Sequence, residues 1–283
     1  MVVLGPKRSG YMAKSDKSGR TVALVTGASS GIGLAFAHIL AEHDHDLVLV
    51  ARRGASLDAI ASDLKAKHGI TIYVISCDLS DRTSAANIHA EVTRRGINID
   101  VLINNAGFNI YGPFVTTGID NELNMIQVNV TSLVTLTRLF LQDMIHRKTG
   151  QVLNVGSTAS FGPAPNVSVY AATKAFVLSF SEALSEEVKG TGVTVSVLCP
   201  GSTHTEFASR AGMLGTKIFS GKLMSAREVA EIGFDAMVRG RMTTITGLAN
   251  KFQVWSMRFA PRSMVVKIAA GLLSQPNKST HSA

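Results

Sequence analysis

Cysteine is scarce in this chain of 283 residues: Cys77 and Cys199 are the only two. Neither belongs to a C-x-x-C pair, so the common zinc and dithiol patterns are missing. The eight histidines form no H-E-x-x-H pairing, and a metal site is not expected. No run of 18 apolar residues occurs, which argues against a membrane-spanning helix. Charged residues make up 17% of the chain against 46% hydrophobic, a balance that excludes global disorder and predicts a substantial core. Internal repeats, low-complexity linkers and composition breaks are also absent, so one domain is expected.

Positive charge is in excess, but it is unevenly placed. Of the formal +8, residues 1–20 contribute +4 and residues 248–283 contribute +5, which leaves the body at 21–247 with −1. A nucleic-acid groove needs its cations along the folded body, so nucleic acid is not an expected partner. Residues 1–20 have only four apolar residues before Gly5, too few for a signal-peptide core, and read as a mobile basic tail.

From residue 21 onward short apolar runs alternate with helix-length segments. The runs are Val22–Thr26, Leu47–Ala51, Ile72–Cys77, Val101–Ile103, Val152–Val155, Val193–Leu198 and Thr243–Thr246. They are rich in Val and Ile and near-continuous, as strands buried on both faces are. Between them, Ile32, Ala35, Phe36, Ile39 and Leu40 recur at helical spacing, and Ser225-x-x-Glu228 fits a capping box. Such alternation implies an α/β fold: a parallel seven-stranded sheet with helices on both faces.

The segment TGASSGIG, Thr26 to Gly33, follows the first predicted strand and opens the first predicted helix. Gly27 would allow the tight turn, Gly31 a close approach of backbone to a pyrophosphate, and Gly33 close packing of helix on strand. The helix N-terminus would offer free N–H groups to phosphates. A glycine-rich loop without a ligand is the plainer alternative. The second strand runs into Ala51-Arg52-Arg53 and has no acid at its end. A ribose 2′-hydroxyl is usually bound there by Asp or Glu, whereas guanidinium groups suit a 2′-phosphate. The pattern therefore favours NADP(H) over NAD.

Taken together these residues resemble the short-chain dehydrogenase/reductase family over roughly 21–247. TGASSGIG resembles its cofactor turn, which also includes Ser29, Ser30 and Ile32. Asp78 and Leu79 after the third strand resemble its adenine contacts, although Asp78 could instead cap the next helix. Asn104-Asn105-Ala106-Gly107 resembles its NNAG element. Asn129, Ser157, Tyr170 and Lys174 match its catalytic set, and Pro200, Gly201, Thr203 and Thr205 resemble the segment that closes over the nicotinamide. Of four tyrosines only Tyr170 is followed by Lys four residues on, a spacing that alone decides little. Six elements in order are specific. The resemblance implies a single doubly wound Rossmann-type domain with strand order 3-2-1-4-5-6-7. On that order Cys77 and Cys199 lie about 24 Å apart, beyond disulfide reach. A reduced, cytoplasmic protein fits.

The chemistry needs these residue types. On a helix, Tyr170 and Lys174 share one face. A free phenol has a pKa of about 10, and an ammonium about 4 Å away would lower it by up to about 3 units. Tyr170 could then act as general acid in reduction and general base in oxidation. Ser157 would hydrogen-bond the substrate carbonyl as charge develops. The resemblance implies that Lys174 bonds the nicotinamide ribose and that Asn129 holds a relay water.

The substrate is less defined. Phe207, Met213, Leu214, Ile218, Phe219, Leu223 and Met224, interrupted by Gly212, Gly215 and Gly221, suit a hinged apolar lid. Phe108 and Phe161 could line the same pocket. Equally, these side chains could pack on each other or on another subunit. A lipophilic ketone or aldehyde is expected, of fatty-acyl, steroid or aromatic type; a 3-oxoacyl-carrier-protein is an alternative. The C-terminal extension, 248–283, sets Phe252, Trp255 and Phe259 on one helix face beside Lys251, Arg258 and Arg262, with Pro261 dividing two helices. It could cover the cleft, meet another subunit or lie on an anionic membrane. The wide apolar arc at 121–147 predicts a homodimer or homotetramer. A non-catalytic NADP(H) sensor is the rival, but it has no need of a proton donor.

Overall fold

A computed structural model describes residues 19–221 and 223–274; the expected tail at 1–20 and the end of the C-terminal extension fall largely outside them. The elements run β1 (Val22–Thr26), α1 (Gly31–Glu42), β2 (Asp46–Ala51), α2 (Gly54–His68), β3 (Ile72–Ser76), α3 (Ser84–Arg94), β4 (Val101–Asn104), α4 (Ile119–Ile126), α5 (Leu133–Arg147), β5 (Gly150–Val155), α6 (Ser168–Glu187), β6 (Val193–Cys199), β7 (Thr203–His204), α7 (Phe207–Arg210), β8 (Met224–Ser225), α8 (Ala226–Val238), β9 (Thr243–Ile245), α9 (Leu248–Met257) and α10 (Arg262–Leu273). Each of the seven apolar runs forms a strand of one sheet, ordered β3-β2-β1-β4-β5-β6-β9. All its pairings are parallel.

Strand alternation explains the layering. Ala23 and Val25 of β1 join Leu47 and Leu49 under α1, α2 and α8, where Phe36, Leu40, Leu57 and Val229 are fully buried. Val22 and Leu24 join Val48 and Val50 on the other face, against Ile88 of α3 and Leu136, Phe140 and Met144 of α5. Helix ends follow the local sequence. Gly69, at φ 63°, closes α2, whose last turn carries Lys65, Lys67 and His68. At α8 the Ser225 hydroxyl accepts from the Glu228 N–H at 3.1 Å, and the Glu228 carboxylate accepts from the Ser225 N–H at 2.7 Å.

Two features were not expected from the sequence. The helix predicted through 121–147 is interrupted by a π-helical turn, Gln127–Ser132, centred on Asn129. A two-stranded parallel pair, β7 with β8, anchors the segment after β6. The sheet order reverses between β1 and β4, and the carboxyl ends of these strands open onto one cleft, the usual ligand position in such sheets.

Candidate active site

The glycine turn is built against the loop after β4. Gly27 and Gly31 have φ of 66° and 57°, values that glycine adopts without strain. A Cβ at Gly33 would collide with the Asn105 amide and the Gly27 carbonyl. Close packing at Gly33 is thus against a side chain and the turn itself, rather than against the strand. The Thr26 hydroxyl accepts from the N–H groups of Asn105 and Ala106, both at 3.0 Å, and the Asn105 amide donates to Thr26 O at 2.9 Å. Ser30, the N-cap of α1, makes no side-chain capping bond. The N–H groups of that first turn therefore face the cleft without a side-chain cap, as an anion site requires.

At one end of the cleft stand both arginines. The Arg53 guanidinium lies 3.3 Å from Ser29 O and Oγ, and Arg52 Nη1 lies 3.9 Å from Asp78 Oδ2. Asp78 also accepts from the Ser80 N–H at 3.0 Å. It does not cap α3: Asp81 accepts from both the N–H and the hydroxyl of Thr83 there, at 2.8 Å each. Two cations without a competing acid from β2 suit a 2′-phosphate, and the uncapped turn suits a pyrophosphate. The residues present fit NADP(H).

Near the middle of the cleft, Gly107 is tightly placed: a Cβ there would lie 3.0 Å from Asn129 Oδ1 and 3.5 Å from Lys174 Nζ. Asn129 is buried, and both polar atoms of its amide have partners. Its Oδ1 accepts from the Phe108 N–H, while its Nδ2 donates to Phe108 O and to the Thr173 hydroxyl. Ser157 lies two residues after β5 and N-caps a short turn, Thr158–Phe161. Its Oγ accepts from the Ala159 N–H at 3.1 Å, and the Ser160 hydroxyl donates to Lys174 O at 2.7 Å, tying that turn to α6. Tyr170 lies beside it, with its phenol in hydrogen-bonding reach of the Ser157 side chain.

The electrostatics differ from the sequence expectation. Burial pushes the Tyr170 phenol up to about 12, and the Ser157 hydrogen bond only partly opposes this. Lys174 does not lower it as expected. Its Nζ donates to Val155 O at 2.7 Å and sits 5.8 Å from the Tyr170 ring centre. Burial also lowers Lys174 to about 8, against an opposing influence from Cys199.

Pro200 O accepts from the Thr158 N–H at 2.8 Å, so the segment after β6 is joined to the Ser157 turn. Gly201 leaves no room for a Cβ beside Asn250. Thr203 is buried in β7, and its hydroxyl donates to Gly201 O at 2.9 Å. Thr205 lies over the glycine turn, its methyl 3.3 Å from a Cβ built at Gly31.

The whole cleft encloses about 890 Å³, and its walls include the turn residues Ser29, Ser30 and Ile32, with Leu79, Phe108 and Phe207. Phe161 does not line it. That ring packs instead with Val177, Val197 and Cys199, on the side where α6 covers β6. The lid expectation is likewise corrected in part: Met213, Ile218 and Phe219 line the cleft, Leu214 is exposed, and Met224 packs on the core beneath α1 and α8. The C-terminal extension closes the remaining side with Met257 of α9 and Val265, Ile268 and Leu273 of α10. The Tyr111 hydroxyl donates to Leu273 O and holds α10 in place. Sequence reasoning missed Ser160, Thr173 and Tyr111. The Ser157-x-x-Ser160 spacing was the only signal for any of them.

A profile of the family described as short chain dehydrogenase matches residues 21–213. The chain belongs to the short-chain dehydrogenase/reductase family. Among its curated relatives within that family is mouse (Mus musculus) 17-beta-hydroxysteroid dehydrogenase type 3, 36% identical over 65% of this chain and 60% of the relative. Bovine (Bos taurus) very-long-chain 3-oxoacyl-CoA reductase is 35% identical over 66% of this chain and 60% of the relative. The matches to these relatives thus span about 60% of their length. Among solved structures, a short-chain dehydrogenase from Sphingobium yanoikuyae in complex with NADPH aligns with a TM-score of 0.76 and 31% identity, covering 93% of this chain and 98% of that one. The bulky-bulky ketone specific alcohol dehydrogenase from Comamonas testosteroni aligns with a TM-score of 0.72 and 28% identity, covering 93% of this chain and 97% of that one.

Proposed function

We propose that this short-chain dehydrogenase/reductase is an NADP(H)-dependent enzyme that interconverts a lipophilic carbonyl compound and its alcohol. The observation that carries this reading is the convergence of Ser157, Tyr170 and Lys174 on one cleft whose far end holds Arg52 and Arg53. When bound, NADPH supplies a hydride to the carbonyl carbon. Tyr170 donates its phenolic proton to the carbonyl oxygen, and its raised affinity for that proton keeps it protonated at neutral pH. Ser157 donates a hydrogen bond to the same oxygen and orients it. Lys174, buried beside Gly107 with its Nζ held by Val155 O, binds ribose hydroxyls. Asn129 positions Phe108 at the cleft wall.

Apolar walls from α10 and from 207–219 support a lipophilic substrate. So do the named substrates of the relatives: a hydroxysteroid, a very-long-chain 3-oxoacyl-CoA and a bulky ketone. Exposed Ile119, Leu123 and Ile126 of α4, which packs on α6, and exposed Phe176 of α6 support a homo-oligomer formed through these two helices.

The test is NADPH consumption across short, long-chain, aromatic and steroid carbonyls, with Tyr170→Phe alongside. Turnover by the natural sequence should fall about 100-fold or more in the variant while NADPH affinity is retained. Turnover unaffected by the substitution would refute this assignment of the proton donor.

A further inference from the structure

Among the described residues, no helix is long and apolar enough to cross a membrane. The C-terminal extension nevertheless exposes more large apolar surface than its packing accounts for. Leu248, Phe252, Trp255 and Phe259 are 83%, 68%, 56% and 73% exposed. At 3.6 residues per turn these four positions fall on one narrow face of α9 and the turn after it. The rings form a continuous ridge, with centroids 5.9 Å apart for Phe252 and Trp255 and 5.0 Å for Trp255 and Phe259. None of the four lines the cleft, which takes Gln253, Ser256 and Met257 from the other side of the same helix.

The charges around this ridge have one sign. Lys251 on α9 and Arg258 just after it lie beside the ridge, and Arg262 and Lys267 follow on α10, all exposed. Residues 248–283 contain no Asp or Glu. A second copy meeting the ridge across a two-fold axis would set these cations against themselves with no acid to pair them. A bilayer bearing anionic headgroups is complementary on both counts, since it takes rings below the headgroups and cations among them.

We propose that the Phe252–Trp255–Phe259 ridge docks the protein on an anionic lipid bilayer surface. Docking would bring the adjoining α10 to the interface. There Met264, Ile268 and Leu272 are at once exposed and part of the cleft wall. The cleft thus opens towards lipid, and a carbonyl substrate dissolved in the bilayer reaches Tyr170 without crossing water. Only this last step rests on the reductase reading; the docking does not.

Trp255 is the only tryptophan in the chain, so its fluorescence reports this ridge alone. The full chain is titrated with phosphatidylcholine vesicles with and without phosphatidylglycerol, and separately with vesicles of ring-depth brominated lipid. The expected result is a blue shift and bromine quenching with anionic vesicles, both reduced at high salt. Phe252→Ser with Phe259→Ser should abolish both while leaving turnover of a small water-soluble carbonyl intact. Lys251→Gln with Arg258→Gln should weaken vesicle affinity about 30-fold, at about a tenfold loss per 1.4 kcal/mol and about 1 kcal/mol per cation. Three results would overturn the proposal. They are an unshifted, unquenched Trp255 with both vesicle types, vesicle binding that survives the double Phe substitution, and a blue shift that grows with protein concentration alone as the mass doubles.

Discussion

Asn129 holds both polar groups of the Phe108 backbone: its Oδ1 accepts from the Phe108 N–H at 3.1 Å and its Nδ2 donates to the Phe108 carbonyl at 3.0 Å. The third bond of that amide goes to Thr173, whose hydroxyl donates to Tyr170 O at 2.7 Å. One side chain in a π-helical turn thus couples the loop after β4 to the helix carrying the proposed proton donor. Asn129→Ala should destabilise the fold by about 2–4 kcal/mol, because it leaves a backbone donor and acceptor without partners. Asn129→Asp, which keeps the acceptor, should cost less. Denaturant midpoints at equal m-values would measure the order of the two variants.

The pH dependence of the two reaction directions should differ. Reduction uses protonated Tyr170, whose raised pKa keeps it protonated through neutral pH, so its rate should stay flat until strongly alkaline conditions. Oxidation needs the phenolate and should rise with pH. Lys174 Nζ is held by Val155 O and titrates at about 8, well below the phenol, so Lys174→Met should leave the oxidation limb in place and act on coenzyme affinity instead. Parallel pH–rate profiles for both directions would read this out; a limb that moves to higher pH in the variant would show that Lys174 does tune Tyr170.

Coenzyme preference should rest on the arginine pair. Arg53→Ala removes a guanidinium held at the glycine turn beside Ser29. Loss of a charge-assisted bond of about 1.5–3 kcal/mol predicts a rise in KM for NADPH of about 10- to 100-fold, with KM for NADH little changed. Arg52→Ala should act in the same direction and also release Asp78. Steady-state kinetics with both coenzymes would separate these contributions.

A fourth prediction concerns acid stability. His45 is buried, with its Nδ1 2.7 Å from the Thr21 hydroxyl, and burial lowers its pKa from 6.5 to about 4. The unfolded chain therefore takes up this proton first as pH falls. The stability associated with neutral His45 is complete above about pH 6.5 and is lost as pH falls towards 4. The loss is on the order of 3 kcal/mol. His45→Gln should flatten this part of the Tm-against-pH curve. An unchanged slope would assign the acid sensitivity to other groups.

Much of this protein is set by local sequence. Each apolar run became a strand of the parallel sheet; the five central ones are buried on both faces as expected, whereas the edge strands β3 and β9 are only half-buried because each has a neighbour on one side alone. The positive φ of Gly27 and Gly31, the acid-free end of β2 and the four-residue spacing of Tyr170 and Lys174 can likewise be read one segment at a time, because each expresses a constraint of a single turn, strand or helix. Strand order needed the family resemblance.

Tertiary structure decided what depends on segments far apart in the chain. It spends the Asn129 amide on Phe108, turns Phe161 into the packing of α6 on β6, and directs Lys174 Nζ to Val155 O rather than to the phenol. It also desolvates the half-buried Tyr170 enough to raise its pKa where the helical spacing alone implied the opposite. Desolvation and hydrogen-bond competition depend on every atom that surrounds a group, and most of those atoms come from elsewhere in the sequence. The same reason places α10 over the cleft and leaves the α9 ridge exposed: an apolar helical face in sequence has no address until the rest of the chain has either covered it or turned it outward.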